Sequence, residues 1–391
     1  MTLLVSVVCP VRNGAGTLAD CLAGLAAQSL ARDAYEVIVV ADSRSVDDTI
    51  AVAEAWAAAA DIRLVIHAED GAAAARNFGI AAARAPWVAM IDADCVATRT
   101  WLAELLRAAG DGLGAAGRTL GYRSVTDAAR YVDLTGGLGA ERHLAHPRYP
   151  WAPTGNVVYR RDALDAVGGF DPRYVSYEGC DLHTRLIRTV GGEFAYAPRA
   201  VAFHGHRADW RGYWRQQRGY GSGYAQFLWG YRDEIGWTAR REVSAWVRVL
   251  PLAARALAAH DGDARLVARG TVIKALAQRI GVVTTYWSPR ARRRWAARPH
   301  AATSGDPTTP TRPAAGSPRG HGLVERLSPW WTPWGATLRL ARIVHVPSDL
   351  VLFLRIGWFM FRLPADVERT HFAAFQETLR SAPRPPARDP W

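Results

Sequence analysis

With 391 residues, 49% of them hydrophobic and 21% charged, the chain has the apolar content of a folded protein with a large core, and a disordered polymer is excluded. Its formal charge of +12 favours an anionic partner: a nucleotide, a phospholipid surface or nucleic acid. However, 47 of the 48 basic residues are arginine, the charge is spread along the chain, and no recognised nucleic-acid-binding motif is present, so specific nucleic-acid recognition is not expected.

Cys9, Cys21, Cys95 and Cys180 are scattered without C-x-x-C spacing, which argues for a reduced compartment over a disulfide framework or a cysteine zinc site. No basic leader precedes the apolar stretch that opens at Leu3, and no apolar run approaches the roughly 18 residues of a membrane span. A cytoplasmic location is expected.

Residues 3–9 are apolar almost throughout, as in a strand buried on both faces of a parallel sheet. Residues 10–17 break it. Thr17 or an adjacent small residue then caps a helix to about Ser29, with Leu18, Cys21, Leu22 and Leu25 on one face. Residues 36–40 form a second strand, followed by a polar turn at 41–49 and a helix to about Ala60. Residues 63–66 read as a third strand and 72–83 as a third helix. Residues 87–91 are a fourth strand, running out into Asp92 and Asp94. Alternation at this spacing predicts an α/β fold on a doubly wound parallel sheet, in which ligands bind where strands end. The turns at 10–16, 42–48 and 92–94 then face one crevice.

Carboxylates two apart at the open end of a strand can hold a hard divalent cation, and that cation can hold a pyrophosphate. Asp-x-Asp alone says little, since Asp261 and Asp263 repeat it in what reads as a polar helix connection. The glycine-containing first loop is neither a P-loop nor G-x-G-x-x-G. Asp42 can accept from the N3–H of a uracil or the N1 and N2 donors of a guanine; a simple helix cap by Ser45 or Asp47 is the other reading of that turn.

Several stretches, taken in order, resemble the family 2 glycosyltransferases, inverting enzymes of the GT-A fold. They are Val5-Ser-Val-Val-Cys-Pro-Val-Arg-Asn13, Glu36-Val-Ile-Val-Val-Ala-Asp42, Ser45-Val-Asp-Asp-Thr49, Ala74-Ala-Arg-Asn-Phe-Gly79 and Ile91-Asp-Ala-Asp94. Thr154-Gly-Asn-Val-Val-Tyr-Arg-Arg161, Val167-Gly-Gly-Phe-Asp171, the acidic segment from Glu178 to Leu182, and Val201-Ala-Phe-His-Gly-His-Arg207 continue the series. The resemblance covers residues 3–207. It implies a Rossmann-like, mostly parallel mixed sheet flanked by helices, with a helical C-terminal extension.

The resemblance also implies a nucleoside diphosphate sugar donor, an acceptor hydroxyl of unspecified origin, and Mg²⁺ or Mn²⁺. Asp42 resembles the family's base-reading aspartate and Arg76 a nucleotide-side contact, with Pro10, Arg12, Asn13, Asn77, Asp92 and Ala93 completing that side. Asp92 and Asp94 match the metal motif, with Asp94 the direct ligand and His204 or His206 completing the shell. Thr154, Gly155 and Asn156, with Arg215 and Arg218, face the acceptor or the pyrophosphate. The acidic segment keeps Glu178 and Asp181 but has Gly179 where the family often carries its catalytic aspartate. Asp181 is the first candidate for general base and Glu178 the second; both can instead merely complement the helix dipole. Loss of the base at Gly179 leaves a non-catalytic nucleotide-sugar-binding module as the alternative function.

The expected division is a transferase domain at 1–232 (nucleotide half 1–95, acceptor half 96–232), a helical extension at 233–297, a Pro/Thr/Gly/Ala-rich linker at 298–320 and an amphipathic helical tail at 321–391. The tail's apolar run at 350–361 contains Arg355 and is too short to span a bilayer. With Trp330, Trp331 and Trp334 it reads as a helix docking on a partner or on the cytoplasmic face of a membrane, or else as a buried core helix.

Overall fold

A computed structural model describes residues 2–297; the linker and tail expectations at 298–391 lie outside the described residues. The strands are β1 (Val5–Val11), β2 (Tyr35–Asp42), β3 (Ile62–His67), β4 (Trp87–Ile91), β5 (Cys95–Ala97), β6 (Gly114–Tyr122), β7 (Asn156–Arg160) and β8 (Phe194–Gly205). They form one sheet in the order β3-β2-β1-β4-β7-β6-β8-β5. β1 to β4 are mutually parallel, as the alternation of elements predicts. Beyond β4 the sheet is mixed: β7 runs antiparallel to β4 and β6, and β5 antiparallel to β8, while β6 and β8 are parallel. The purely parallel reading therefore holds for the first half only, and the mixed sheet implied by the resemblance is the one found.

Helices α1 (Ala15–Ala26), α2 (Thr49–Ala59), α3 (Ala72–Ala82) and α4 (Trp101–Ala109) serve the first half. Helices α5 (Asp127–Leu134), α6 (Ala140–Leu144), α7 (Arg161–Ala166) and α8 (Glu178–Thr189) serve the second. Period-two alternation sorts each strand between two cores. Val5, Val7 and Cys9 of β1 join Leu18, Leu22, Leu25, Trp56 and Trp101 on one face. Val8 joins Ile38, Ile80, Phe170, Leu182 and Leu186 on the other. Each of these fully buried aliphatic side chains stabilises by about 1.5–3 kcal/mol.

The cap expected at Thr17 is not local. α1 begins after Gly14 with no side-chain cap of its own. The N–H groups of Gly14 and Ala15 are taken instead by Thr49 Oγ1 (2.8 Å) and Asp47 Oδ2 (3.1 Å) from the next loop. Orphan donors at a helix start need an acceptor, and a facing loop serves as well as the preceding residue.

After the sheet come α9 (Trp210–Ile235), α10 (Ala239–Val247), α11 (Val249–Ala258), α12 (Gly262–Tyr286) and α13 (Pro289–Ala297). α9 and α12 pack backbone to backbone. A Cβ on Gly221 would overlap the Gln278 carbonyl, and one on Gly281 the Arg218 carbonyl. The second Asp-x-Asp lies at the start of α12, where Asp263 pairs with Arg130 at 2.8 Å. Among the described residues no helix is long and apolar enough to cross a membrane.

Candidate active site

The first two loops are stitched into one wall. Asn13, at φ +51°, accepts from Val46 N–H at 2.9 Å and donates its own N–H to Ser45 Oγ. Asp42, at the end of β2, is 4% exposed. Arg44 reaches back onto it with a two-pronged contact, Nε to Oδ1 at 2.9 Å and Nη2 to Oδ2 at 2.6 Å. This fork holds the Asp42 carboxyl down at about 2. Arg12 approaches Asp42 at 3.6 Å, and both arginines also pair with Asp70. His67 lies in register with Asp42; it is buried, with neither ring nitrogen partnered among the described residues, and burial lowers its pKa. Pro10 is in β1.

The fourth strand delivers Asp92 to a buried cation. Arg76 of α3 bridges two carboxylates, donating to Asp92 Oδ1 at 2.9 Å and to Glu178 Oε1 at 2.8 Å. Its side chain is 5% exposed. Glu178 opens α8 behind Tyr177, whose φ of +70° aims the helix start at this bridge. Thr154 and Gly155 close the same corner: a Cβ on Gly155 would lie 2.6 Å from Asp92 Oδ2, and one on Gly179 2.9 Å from Thr154 Cγ2. Gly179 is thus packed tight, and a side chain there would have to displace Thr154. Ala93, between the two aspartates, is buried.

Asp94 heads a relay. His204 Nε2 lies 3.4 Å from Asp94 Oδ1, His204 Nδ1 faces His206 Nδ1 at 3.1 Å, and His206 Nε2 meets Asp133 Oδ1 at 2.9 Å. Burial lowers the His204 pKa against the opposing pull of Asp94, favouring the neutral ring. Donor and acceptor roles along this relay follow from the tautomers of the two rings. An imidazole whose other nitrogen is anchored is how proteins orient a metal ligand. Asp94, Cys95 and His204 place ligand atoms within 4.8 Å of one another and form a group able to hold a metal ion. Burial pushes the Cys95 thiol well above its usual range, so the carboxylate and imidazole are the effective donors.

Other residues singled out from the sequence have partners of their own or face solvent. Asp181 is 3% exposed and both its oxygens are engaged: Tyr231 at 2.9 Å and Tyr174 at 3.4 Å on one, Arg185 at 2.8 Å on the other. Asn156 ties the sheet together, accepting from Trp101 Nε1 at 2.8 Å and donating to the Arg118 carbonyl at 3.0 Å. Asn77 spends its amide on the Phe170 backbone, holding the turn at Gly169. Arg215 and Arg218 are exposed on α9, with no ion pair among the described residues.

Four participants were not singled out in advance. Arg44 follows Asp42 by two positions, a spacing that allows a local fork. Asp133 and Tyr220 carry no sequence signal. The Tyr220 hydroxyl is pushed up by burial and by the nearby Asp92, Glu178 and Asp94. Cys95 is marked only by its place beside Asp94.

A family model described as glycosyl transferase family 2 matches residues 6–168. A pre-mycofactocin glycosyltransferase of Mycobacterium tuberculosis is 33% identical over 242 residues, 59% of this chain and 48% of that protein. Glycosyltransferase AglE of Haloferax volcanii is 30% identical over 207 residues, 51% of this chain and 66% of that protein. The chain therefore spans about half the length of the first of these relatives. Among solved structures, the mannosyltransferase PcManGT of Pyrobaculum calidifontis, in complex with GDP-Man and Mn²⁺, aligns with a TM-score of 0.51 at 20% identity, covering 72% of this chain and 87% of that one. That likeness is one of fold, the GT-A arrangement of a mixed sheet between helices.

Proposed function

With residues 6–168 forming a family 2 glycosyl transferase domain, we propose that the chain is a metal-dependent inverting glycosyltransferase acting on a nucleoside diphosphate sugar. The observation that carries this reading is the Asp94–His204 pair, ligand atoms 3.4 Å apart in a group able to hold a metal ion, set beside the Asp92–Arg76–Glu178 bridge at the open ends of the strands. Oxygen and imidazole donors suit Mg²⁺ or Mn²⁺, and the PcManGT complex pairs Mn²⁺ with a nucleotide sugar on the same fold. Asp92, Asp94 and His204 would hold the ion. When bound, it neutralises the charge that develops on the departing diphosphate.

The chain's own residues supply the rest. Asp42 and the stitched loops receive the nucleoside, and Arg76 fixes Asp92 and Glu178 against each other. Glu178 is the carboxylate we assign as general base. Its Oε2 accepts no hydrogen bond from the described residues, whereas Asp181 has both oxygens occupied. The acceptor oxygen attacks the anomeric carbon, the bond to the diphosphate oxygen breaks on the opposite face, and the hydroxyl proton passes to Glu178. Domain limits at 1–232 and 233–297 remain part of this proposal.

The test is thermal shift with UDP, GDP, dTDP and CDP, with Mn²⁺ or with EDTA, followed by release of nucleoside diphosphate from the matching donor sugars. Glu178→Gln is expected to keep metal-dependent nucleotide binding and to lose turnover by a factor of about 10² or more. Full turnover by that variant would remove Glu178 from the role. Binding without turnover in the wild type would favour the non-catalytic module instead, the reading that Gly179 raises.

A further inference from the structure

Outside the crevice, α10 and α11 present an apolar stripe to solvent. Val243 (63% exposed), Val247 (57%), Leu250 (69%) and Leu257 (85%) follow one another at intervals of four, three and seven residues, with exposed Ala254 between the last two. The junction residue Arg248 keeps helical angles, φ −65° and ψ −13°, so the stripe carries over from one helix to the next. Apolar side chains at this helical spacing normally face a core. Here they face outward.

On these two helices the exposed charge is of one sign. Arg240, Arg241 and Arg255 belong to the same two helices, and their single acid, Glu242, is buried against Arg279 at 3.0 Å. At the start of α10 an aromatic cluster adjoins the stripe. Trp237 and Tyr286 have ring centroids 4.4 Å apart, and Trp287 is 61% exposed. Trp237, Tyr286, Trp287, Arg232 and Arg292 line a groove of about 550 Å³ there. The helix beyond it, α13, adds Arg290, Arg293 and Arg294 with no acid.

We infer that the α10–α11 face, with the Trp237–Trp287 cluster and α13, is a docking surface for an anionic lipid bilayer. Leucine and valine on one side, arginine on the flanks and tryptophan at the margin are what a helix lying in the headgroup region requires. Charge complementarity selects this occupant. A second copy of the chain would bring arginine against arginine with no exposed acid on the stripe to answer it. The inference is independent of the reading of the crevice.

The experiment is co-sedimentation of the full chain with phosphatidylcholine vesicles, with and without phosphatidylglycerol. Wild type is expected to bind the anionic vesicles and to release as salt rises. Leu250→Asp/Leu257→Asp is expected to weaken that binding by about tenfold or more, with an unchanged melting temperature because both sites are exposed. Val125→Asp, an exposed valine (84%) in the loop between β6 and α5, is the control and is expected to bind as wild type. Failure of wild type to bind, equal binding to neutral vesicles, or insensitivity to the double substitution overturns the inference. So does a wild-type dimer in light scattering that the double substitution converts to monomer, since the stripe would then be a self-interface.

Discussion

Arg76→Met tests how the crevice is held together. Methionine fills most of the volume but removes the cation, leaving Asp92 and Glu178 facing each other across the space Arg76 occupied. Arg76 is 5% exposed and makes ion pairs of 2.8 and 2.9 Å; its partners are 13% (Glu178) and 32% (Asp92) exposed. Removing one member of a buried pair costs about 3–5 kcal/mol. Asp92 retains contact with water, which screens part of the repulsion, so the loss belongs at about 3 kcal/mol. For a domain of this size that is a fall of about 6 °C in melting temperature. Thermal unfolding of wild type, Arg76→Met, Glu178→Gln and the double variant closes a cycle. The double variant should lose at least about 1 kcal/mol less than the sum of the singles, because the glutamine leaves one carboxylate instead of two. Mn²⁺ should stabilise Arg76→Met more than wild type, a divalent cation replacing the lost charge. A fall below about 2 °C, or strict additivity, would refute the claim that Arg76 is the keystone of this corner.

Three further outcomes follow from the same geometry. Burial holds His143 and His183 at about 3, against about 6.5 in an unfolded chain, so the folded state keeps both neutral. Their contribution is complete above pH 6.5 and is lost as pH falls toward 3, by about 1.4 kcal/mol per pH unit for each ring; a flat stability profile between pH 6.5 and 4 would contradict it. Gly281→Val should drive α12 off the Arg218 carbonyl and cost about 1–3 kcal/mol, whereas Gly16→Ala, with nothing within 4 Å of the new methyl, should stabilise by about 0.5–1 kcal/mol; chemical denaturation ranks them, and equal effects would deny the close helix contact. Asp94→Asn should weaken metal-dependent nucleotide binding by about tenfold or more in calorimetry while sparing the fold, and equal affinity would move the cation elsewhere.

What was legible in the chain is what depends on near neighbours. The strand residues 37–40, the run-out at Asp92 and Asp94, and the turn at Gly168–Gly169 are set by alternation and by glycine, and the structure has them within a residue or two. The partners of the side chains were not legible, because they come from far along the chain. Asp181 reads as a helix-start acid free to act, yet Tyr231, fifty residues away, closes over it. Asn77 and Asn156 look like ligand contacts by their place in a motif, and their side chains tie to Phe170 and Trp101. His206 finds Asp133 seventy-three residues upstream, and that contact anchors the ring facing His204. Periodicity shows which face a residue takes and nothing about what waits there.

On the role proposed for Asp42, the fork of Arg44 has a consequence for ligand choice. A base that uses Asp42 does not meet an open carboxylate; it must exchange with a guanidinium already held by two parallel hydrogen bonds. Affinity at this position is therefore a difference between two occupants of the same acceptor, and a ligand edge with a single donor starts at a disadvantage to one with two. The displaced Arg44 keeps Asp70 as a second anchor at 2.7 Å, so it has a place to swing to without leaving the wall. Discrimination among nucleotides would then be written as much in the arginine's second resting place as in the aspartate itself.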